Sequence, residues 1–511
     1  MRKYIWLLCL CLMACLSGCF DDDSTVATEA NRAHEIKVEG LPQDTSAVAF
    51  SSVLELTPVV EGFADDELLF NWYIYGGQFG QKGEYRKNKI WEGKKLAYPV
   101  ELKIGKYSVI CEATHKETGY FGLVEFSLDV TSAFSNGFYA LKETAEGNTE
   151  LDFYNYRDTV TLNDLLTENY GAPLNGKPRN MNPVYKKIHM DSETATSTYA
   201  TGMFLAYGEN NFAVYNTVDM SLMFDRSSLF YATMEEDEIP YAMATTGEYN
   251  HYFSNKGICY ESVGGVFFAS EYATGKLVTP EGCGGSTFVQ AFNGRELSYW
   301  SESKHCLMCT DGREIGYKDG YAGVRVPFEK AEAIATGWNW NSGDNAVWYL
   351  FDVKDDGRYL VILGKETISE VRRLDAEKLA SAAVIAGKGL RGSFIYSVKD
   401  NQLYRYSMKE KVETALSVAS LPAGTVTYMS NLFYEAAFDY LVIGVQNGGK
   451  YTVVMYEMQG GQPFGEPKHT FEGTGILKKL CYAVPMSDYS PMSPNLYAFL
   501  YPDSMSPTFP Y

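Results

Sequence analysis

Along most of the chain apolar residues fall on every second position, in short runs that end in turn-forming residues. Phe394-Ile395-Tyr396-Ser397-Val398 leads through Lys399-Asp400-Asn401 into Leu403-Tyr404-Arg405-Tyr406. Tyr440 to Val445 leads through Asn447-Gly448-Gly449 into Tyr451 to Tyr456, and Asp355-Asp356-Gly357 separates Val347 to Val353 from Tyr359 to Leu363. Period-two alternation closed by Asp, Asn and Gly predicts antiparallel hairpins. Two stretches read as helical instead: Glu329 to Ile334, and Asp375 to Ala386 with Glu377 and Lys378 on a polar face. Tyrosine numbers 39 and aromatics make up 14% of the chain, a composition that suits half-buried pleated surfaces and predicts an all-β fold.

The pattern changes near Thr131-Ser132. Residues 34–131 have the length and strand spacing of one immunoglobulin-like β-sandwich, carried by Leu56 to Val60, Leu68 to Tyr75 and Gly105 to Ala113. Residues 132–511 are long enough for a β-propeller-like domain of seven four-stranded blades, at about 40–50 residues or somewhat more per blade. No repeated Trp-Asp signature marks the blades, and tandem sandwiches are the alternative topology.

The first eighteen residues follow a different rule. Arg2 and Lys3 precede an apolar stretch from Tyr4 to Leu16, shorter than the roughly 20 residues of a spanning helix and therefore expected to be a cleaved secretory signal. Leu16-Ser17-Gly18-Cys19 resembles the lipobox of bacterial lipoproteins, which implies cleavage before Cys19 and acylation of its thiol as a membrane anchor. Residues 19–33 read as an acidic, flexible tether. Within it Asp21, Asp22 and Asp23 resemble the signal that exports lipoproteins of Bacteroidota to the outer face of the outer membrane.

The formal charge of −20 becomes −22 once Arg2 and Lys3 are removed, which argues against nucleic acid as a partner and against a polybasic grip on lipid. Six cysteines remain in the folded part, scattered as small buried hydrophobes would be rather than as a disulfide framework. Cys306-Leu307-Met308-Cys309 is a lone C-x-x-C lying between strand-like runs, where no helix N-terminus would lower a thiol pKa.

Signs of catalysis are sparse. The six histidines form no H-E-x-x-H and no paired metal spacing. Gly282-Cys283-Gly284-Gly285-Ser286 lacks the G-x-S-x-G of a hydrolase elbow, and no phosphate or dinucleotide loop is present. Asp352 to Gly357 places Lys354 where a calcium loop needs an oxygen donor, so it reads as a turn. Glu235-Glu236-Asp237-Glu238 reads as a solvated loop. The sequence thus implies no metal and no cofactor, while a glycosidase-type carboxylate pair that meets only in the fold stays open. Trp338 and Trp340, at strand spacing within Gly337-Trp338-Asn339-Trp340-Asn341, are the candidate ligand-stacking residues, with packing between blades as the alternative.

Trp72 on its strand, Gly105-Lys106-Tyr107-Ser108-Val109-Ile110-Cys111, Lys116-Glu117-Thr118-Gly119 and Phe126-Ser127-Leu128-Asp129-Val130 together resemble the PKD-like domain of Bacteroidota surface lipoproteins. The passage Phe134 to Glu143, followed by Thr149-Glu150-Leu151-Asp152-Phe153, is similar to the entry into that family's C-terminal region, with Phe138 standing where a tryptophan is expected. The resemblance implies core roles for Trp72 and Tyr107. It also implies partnership with a SusC-like TonB-dependent channel and a SusD-like lipoprotein at the cell surface, as a non-catalytic subunit that captures nutrient, peptides ahead of oligosaccharides. A surface hydrolase acting on a glycan or peptide is the competing expectation.

Overall fold

The computed structural model describes residues 36–49, 52–155, 159–190, 197–230, 233–246, 249–262, 284–293, 296–341, 344–364, 366–375, 377–389, 394–434 and 438–483. The chain divides between Thr131 and Ser132 into two compact units.

In the first unit a five-stranded sheet runs in the order Asp44–Val48, Phe121–Thr131, Gly105–His115, Leu68–Tyr75, Lys89–Glu92. Two strand pairs complete the unit: Val53–Leu56 with Leu96–Pro99, and Val38–Glu39 with Val59–Val60. Alternation decides what is buried. Tyr107, Val109, Cys111 and Ala113 share a face with Phe70, Trp72 and Ile74 of the adjoining strand Leu68–Tyr75 in a single core, because successive side chains of a strand point to opposite faces. Trp72 is fully buried, and its indole N–H donates to the Gly93 carbonyl at 2.9 Å. Burial pushes the Cys111 thiol up to about 12, so it packs as an inert hydrophobe. At Gly122 a Cβ would lie 1.8 Å from the Ile36 carbonyl oxygen, so the chain can cross there only on glycine.

The second unit contains seven sheets among the described residues. The first runs Val160–Leu162, Thr149–Asn155, Gly137–Glu143, Ile476–Ala483, so the last described strand of the chain completes the sheet that opens the unit. The second runs Pro178–Met190, Ser197–Tyr207, Asn211–Asn216, Leu222–Asp225. The third is Pro240–Thr246, Tyr249–Ser254, Gly257–Ser262, and the fourth is Val289–Asn293, Glu296–Ser301, Cys306–Cys309. The fifth is built on Ala331–Asn341, Asp344–Val353, Gly357–Leu363 and Ile368–Leu374, the sixth on Val384–Ala386, Phe394–Lys399, Gln402–Ser407 and Val412–Leu416. The seventh runs Thr425–Tyr434, Phe438–Asn447, Lys450–Gln459, Gln462–Thr474.

Leading strands lie beside leading strands. Pro178–Met190 neighbours both Ile476–Ala483 and Pro240–Thr246, while Thr425–Tyr434 neighbours Val384–Ala386 and, on its other side, Ile476–Ala483. Apolar clusters fill the spaces between sheets: Tyr139, Leu151, Met181 and Leu205 between the first and second, and Phe138, Tyr154, Val453 and Phe471 between the seventh and first. Phe138 is thus a fully buried core residue, touching Tyr154, Phe438 and Tyr482.

The three hairpins read from the sequence are present. In one, Asp400 and Asn401 both take positive φ (51° and 59°), the conformation a two-residue turn with the right twist requires. The two helices are not. Ala331–Asn341 is a strand preceded only by a short 3₁₀ turn, Phe328–Lys330. Over 375–386 the chain forms a 3₁₀ turn, Lys378–Ser381, and then the strand Val384–Ala386. The reason is tertiary. The Arg358 guanidinium donates 2.8 Å bonds to the carbonyls of Leu379 and Ala382, and the Glu413 carboxylate accepts the N–H groups of Lys378 and Leu379. Backbone groups that a helix would pair internally are already taken.

Trp72→Ala is expected to destabilise the first unit by about 3–5 kcal/mol. Hydrogen exchange of Gly105–His115 across a denaturant series should show protection lost at lower denaturant, with the strands of the second unit unchanged.

Candidate functional site

Of the residues singled out by sequence, Cys19, Asp21, Asp22 and Asp23 lie outside the described residues. Trp338 and Trp340 have described backbone, paired with Val347 and Asn345 in the fifth sheet, but their side chains lie outside the description. Cys306 and Cys309 sit at the two ends of one strand, three residues apart and so on opposite faces, and they are not joined in a disulfide. Asp352 is held by Arg358 at 2.7 Å beside the hairpin turn. The acidic run at 235–238 is organised by cations: Lys256 pairs with Glu235 and Asp237, and Arg226 donates to the Glu238 carbonyl. Among the described residues no group of three or more His, Cys, Asp or Glu could hold a metal ion.

The structure brings together a different set. On the first sheet Lys142 stands opposite Glu150, and Asp152 stands opposite the small Ala140, all on the face toward the seventh sheet. Lys142 is 1% exposed, and its ammonium lies 2.6 Å from Asp152 Oδ1 and 2.7 Å from Asp164 Oδ1. Tyr451 of the seventh sheet donates its hydroxyl to Asp152 Oδ2. Burial raises the Asp152 pKa, opposed by Lys142 and Tyr451, and burial together with Asp152 raises that of Tyr451. At Gly473 a Cβ would come within 2.4 Å of both Asp152 Oδ2 and the Tyr451 ring, so glycine is what admits this contact.

Glu150, also 1% exposed, caps the helix Leu165–Tyr170 from below. Its carboxylate accepts the N–H groups of Leu166 and Thr167 and the Thr167 hydroxyl at 2.6–3.0 Å, matching negative charge to the exposed donors of a helix start.

Above this cluster, where the first and seventh sheets meet, opens a cleft of about 590 Å³, within the usual range for small-ligand sites. Asp164, with its side chain 47% exposed, joins the buried ions to the cleft. Gly448, Gly449 and Gly475 form its backbone rim, and Ile476, 42% exposed, an apolar wall. Glu143, at its edge, pairs with Lys478 at 2.7 Å and Lys177 at 3.7 Å.

A second polar seam follows the leading strands. Lys479 donates to Asn180 Oδ1 at 2.6 Å, and Asn180 donates in turn to the Tyr241 carbonyl at 2.8 Å, linking the first, second and third sheets. Burial lowers the Lys479 pKa to about 8.

Sequence reasoning passed over Lys142, Glu150 and Asp152 as catalytic or binding candidates, although they lie in stretches that carried the family resemblance. Charges at inward positions of otherwise apolar strands were the available signal, since such side chains are buried only when paired.

Lys142→Met should cost about 3–5 kcal/mol, because it leaves Asp152 buried without its cation. Adding Asp152→Leu should recover much of that loss. Denaturant midpoints of the two variants check this, and equal destabilisation in both would show that the pairing does not hold the cluster.

Comparison with solved structures finds similarity at low identity. A quinonprotein alcohol dehydrogenase-like protein from Bacteroides thetaiotaomicron is 12% identical, over 88% of this chain and 99% of that one, with a TM-score of 0.39. The Aleuria aurantia lectin is 10% identical, over 73% and 91%, with a TM-score of 0.32. AztD of Citrobacter koseri is 8% identical, over 68% and 99%, with a TM-score of 0.31. No curated protein matches the chain in sequence. Residues 19–178 match the model of the PKD-like family, a stretch that takes in all the described residues of the first unit, so this all-β chain has a PKD-like N-terminal domain.

Proposed function

We propose that the chain is an exported lipoprotein, acylated at Cys19 and carried to the cell surface by Asp21, Asp22 and Asp23, that captures ligand for a SusC/SusD-type TonB-dependent importer. Peptides are the preferred ligand. The seven sheets of the second unit are read as blades of a β-propeller. Leading strands lying side by side, with the last strand completing the first sheet, are the means by which such an array closes and hides its edges.

The observation that carries the capture reading is the cleft between the first and seventh sheets. Most of the charged groups lining it are already engaged: Glu150 by helix N–H groups, Lys142 by Asp152 and Asp164, and Glu143 by lysines. A site of locked charges beside a glycine rim orients a ligand, whereas general acid–base work needs a group poised to exchange a proton. The rim lets an extended backbone approach closely, and Ile476 offers an apolar contact for its side chains. The PKD-like match supports the lipoprotein reading, since it opens at Cys19.

One feature favours the second reading, a surface hydrolase. Partial burial raises the Glu302 carboxyl, the Tyr241 hydroxyl bonded to it lowers it, and Glu332 raises it again, the direction of shift that a general acid uses.

Tagged full-length protein, pulled down from detergent-solubilised outer membranes, is expected to bring a channel-type partner with it. Recovery of none would overturn the accessory role, and turnover of a glycan or peptide by the purified protein would promote the hydrolase. A side chain at Gly449 meets nothing within 4 Å, so Gly449→Trp is expected to block the cleft and weaken peptide binding at unchanged stability. Cys19→Ala is expected to move the protein out of the membrane fraction or leave it uncleaved.

A further inference from the structure

The leading strands of the second and third sheets share an irregularity near their starts. Pro178 pairs with Tyr207 and Asn180 with Ala206, so Arg179 is one residue more than the partner strand can match. Pro240 pairs with Ser254 and Ala242 with Phe253, which leaves Tyr241 in the same position. The fifth and seventh sheets repeat the bulge at Ile334 and Thr427. A bulged residue is released from the alternation of its strand, so the local bend re-aims its side chain. In the second and third sheets that residue carries chemistry.

Arg179 reaches across to the third sheet, where its Nη2 donates to the Pro240 carbonyl at 3.0 Å. Its Nε–H is buried and meets no acceptor. Among the described residues the ionisable groups that act on the guanidinium are Tyr241 and Tyr252, both neutral near neutral pH, and no carboxylate is one of them. The acid beside Tyr241, Glu302, is bonded to the tyrosine hydroxyl instead. Burial lowers the Arg179 pKa from its ordinary value, with the two tyrosines opposing.

An arginine withdrawn from solvent is ordinarily paired with an anion, because a buried charge left alone is costly. Acidic residues outnumber basic ones in this chain by 64 to 44, yet none meets Arg179. The cation lacks its counter-ion, and a guanidinium is a planar fork that fits an oxyanion through paired N–H bonds.

We propose that Arg179 anchors an oxyanion site between the second and third sheets, one that takes the carboxylate or phosphate group of a ligand. Its side chain is only partly buried, so the group enters from solvent. The bulge and the Pro240 carbonyl set the direction of the guanidinium, and Tyr241, by bonding Glu302, keeps that acid from filling the place. The site shares no residue with the cleft between the first and seventh sheets and stands whatever that cleft binds.

Calorimetric titration of the full-length protein with sodium phosphate, sodium acetate and trialanine, at one ionic strength set with chloride, is the test. Wild type is expected to bind at least one of the three, and Arg179→Gln, whose amide can still donate to the Pro240 carbonyl, to bind it about tenfold more weakly or less. Loss of binding when trialanine is amidated at its C-terminus assigns the site to a terminal carboxylate, and binding of phosphate alone assigns it to a phosphate group. No binding by wild type, or equal affinity in Arg179→Gln, overturns the proposal; peptide bound in the cleft would survive in the variant. Should the variant fail to fold, phenylglyoxal modification of wild type, mapped by mass spectrometry, decides it. Protection of Arg179 by the anion, with Arg373 reacting unchanged, supports the site. An Arg179 that reacts at the same rate with and without the anion, or not at all, refutes it.

Discussion

The second unit depends on one strand pairing. Ile476–Ala483 lies antiparallel to Gly137–Glu143, more than three hundred residues away in sequence, and supplies the fourth strand of a sheet whose other three come from the start of the unit. Without it Gly137–Glu143 would be an exposed edge, and the apolar faces of Phe138 and Ala140 would lose the cluster shared with Leu477 and Leu480. The contact is non-local, so its loop-closure entropy is met only when the intervening sheets have formed.

That pairing also explains why charge collects where it does. Lys142 and Asp152 lie on the face that meets the seventh sheet, and burying either alone would cost several kcal/mol. Together with Tyr451 and Asp164 they satisfy one another, and Glu150 fixes the adjoining helix. The result is a seam with a polar end and an aromatic end: a cleft over the ion cluster, then Tyr154, Phe471 and His469 along the same strands. Ligand capture is therefore a reading of the polar end of that seam.

Hairpins were legible because their determinants are local. Asp400-Asn401 and Asn447-Gly448-Gly449 prescribe turn conformations on their own, and alternation assigns each flanking residue a face. Trp72 and Tyr107 were legible as core through the family resemblance, and both are buried. The stretch from Asp375 to Ala386 was misread because its helical pattern is real but short, and Arg358 and Glu413, distant in sequence, take the backbone groups a helix would use. The candidate site was hardly legible: the tryptophans were chosen by composition, whereas Lys142, Asp152 and Tyr451 have meaning only as neighbours.

The sequence by itself determined the all-β character, the change of pattern near Thr131, the turns, and the expectation of an exported, anchored chain, since each rests on residues within one turn or one strand of each other. Tertiary structure alone decided which strands share a sheet, that the last described strand joins the first sheet of the unit, and that Lys142, Asp152, Tyr451 and His469 occupy one seam. Long-range pairing is selected by the combined burial of many side chains, and no single segment carries that sum.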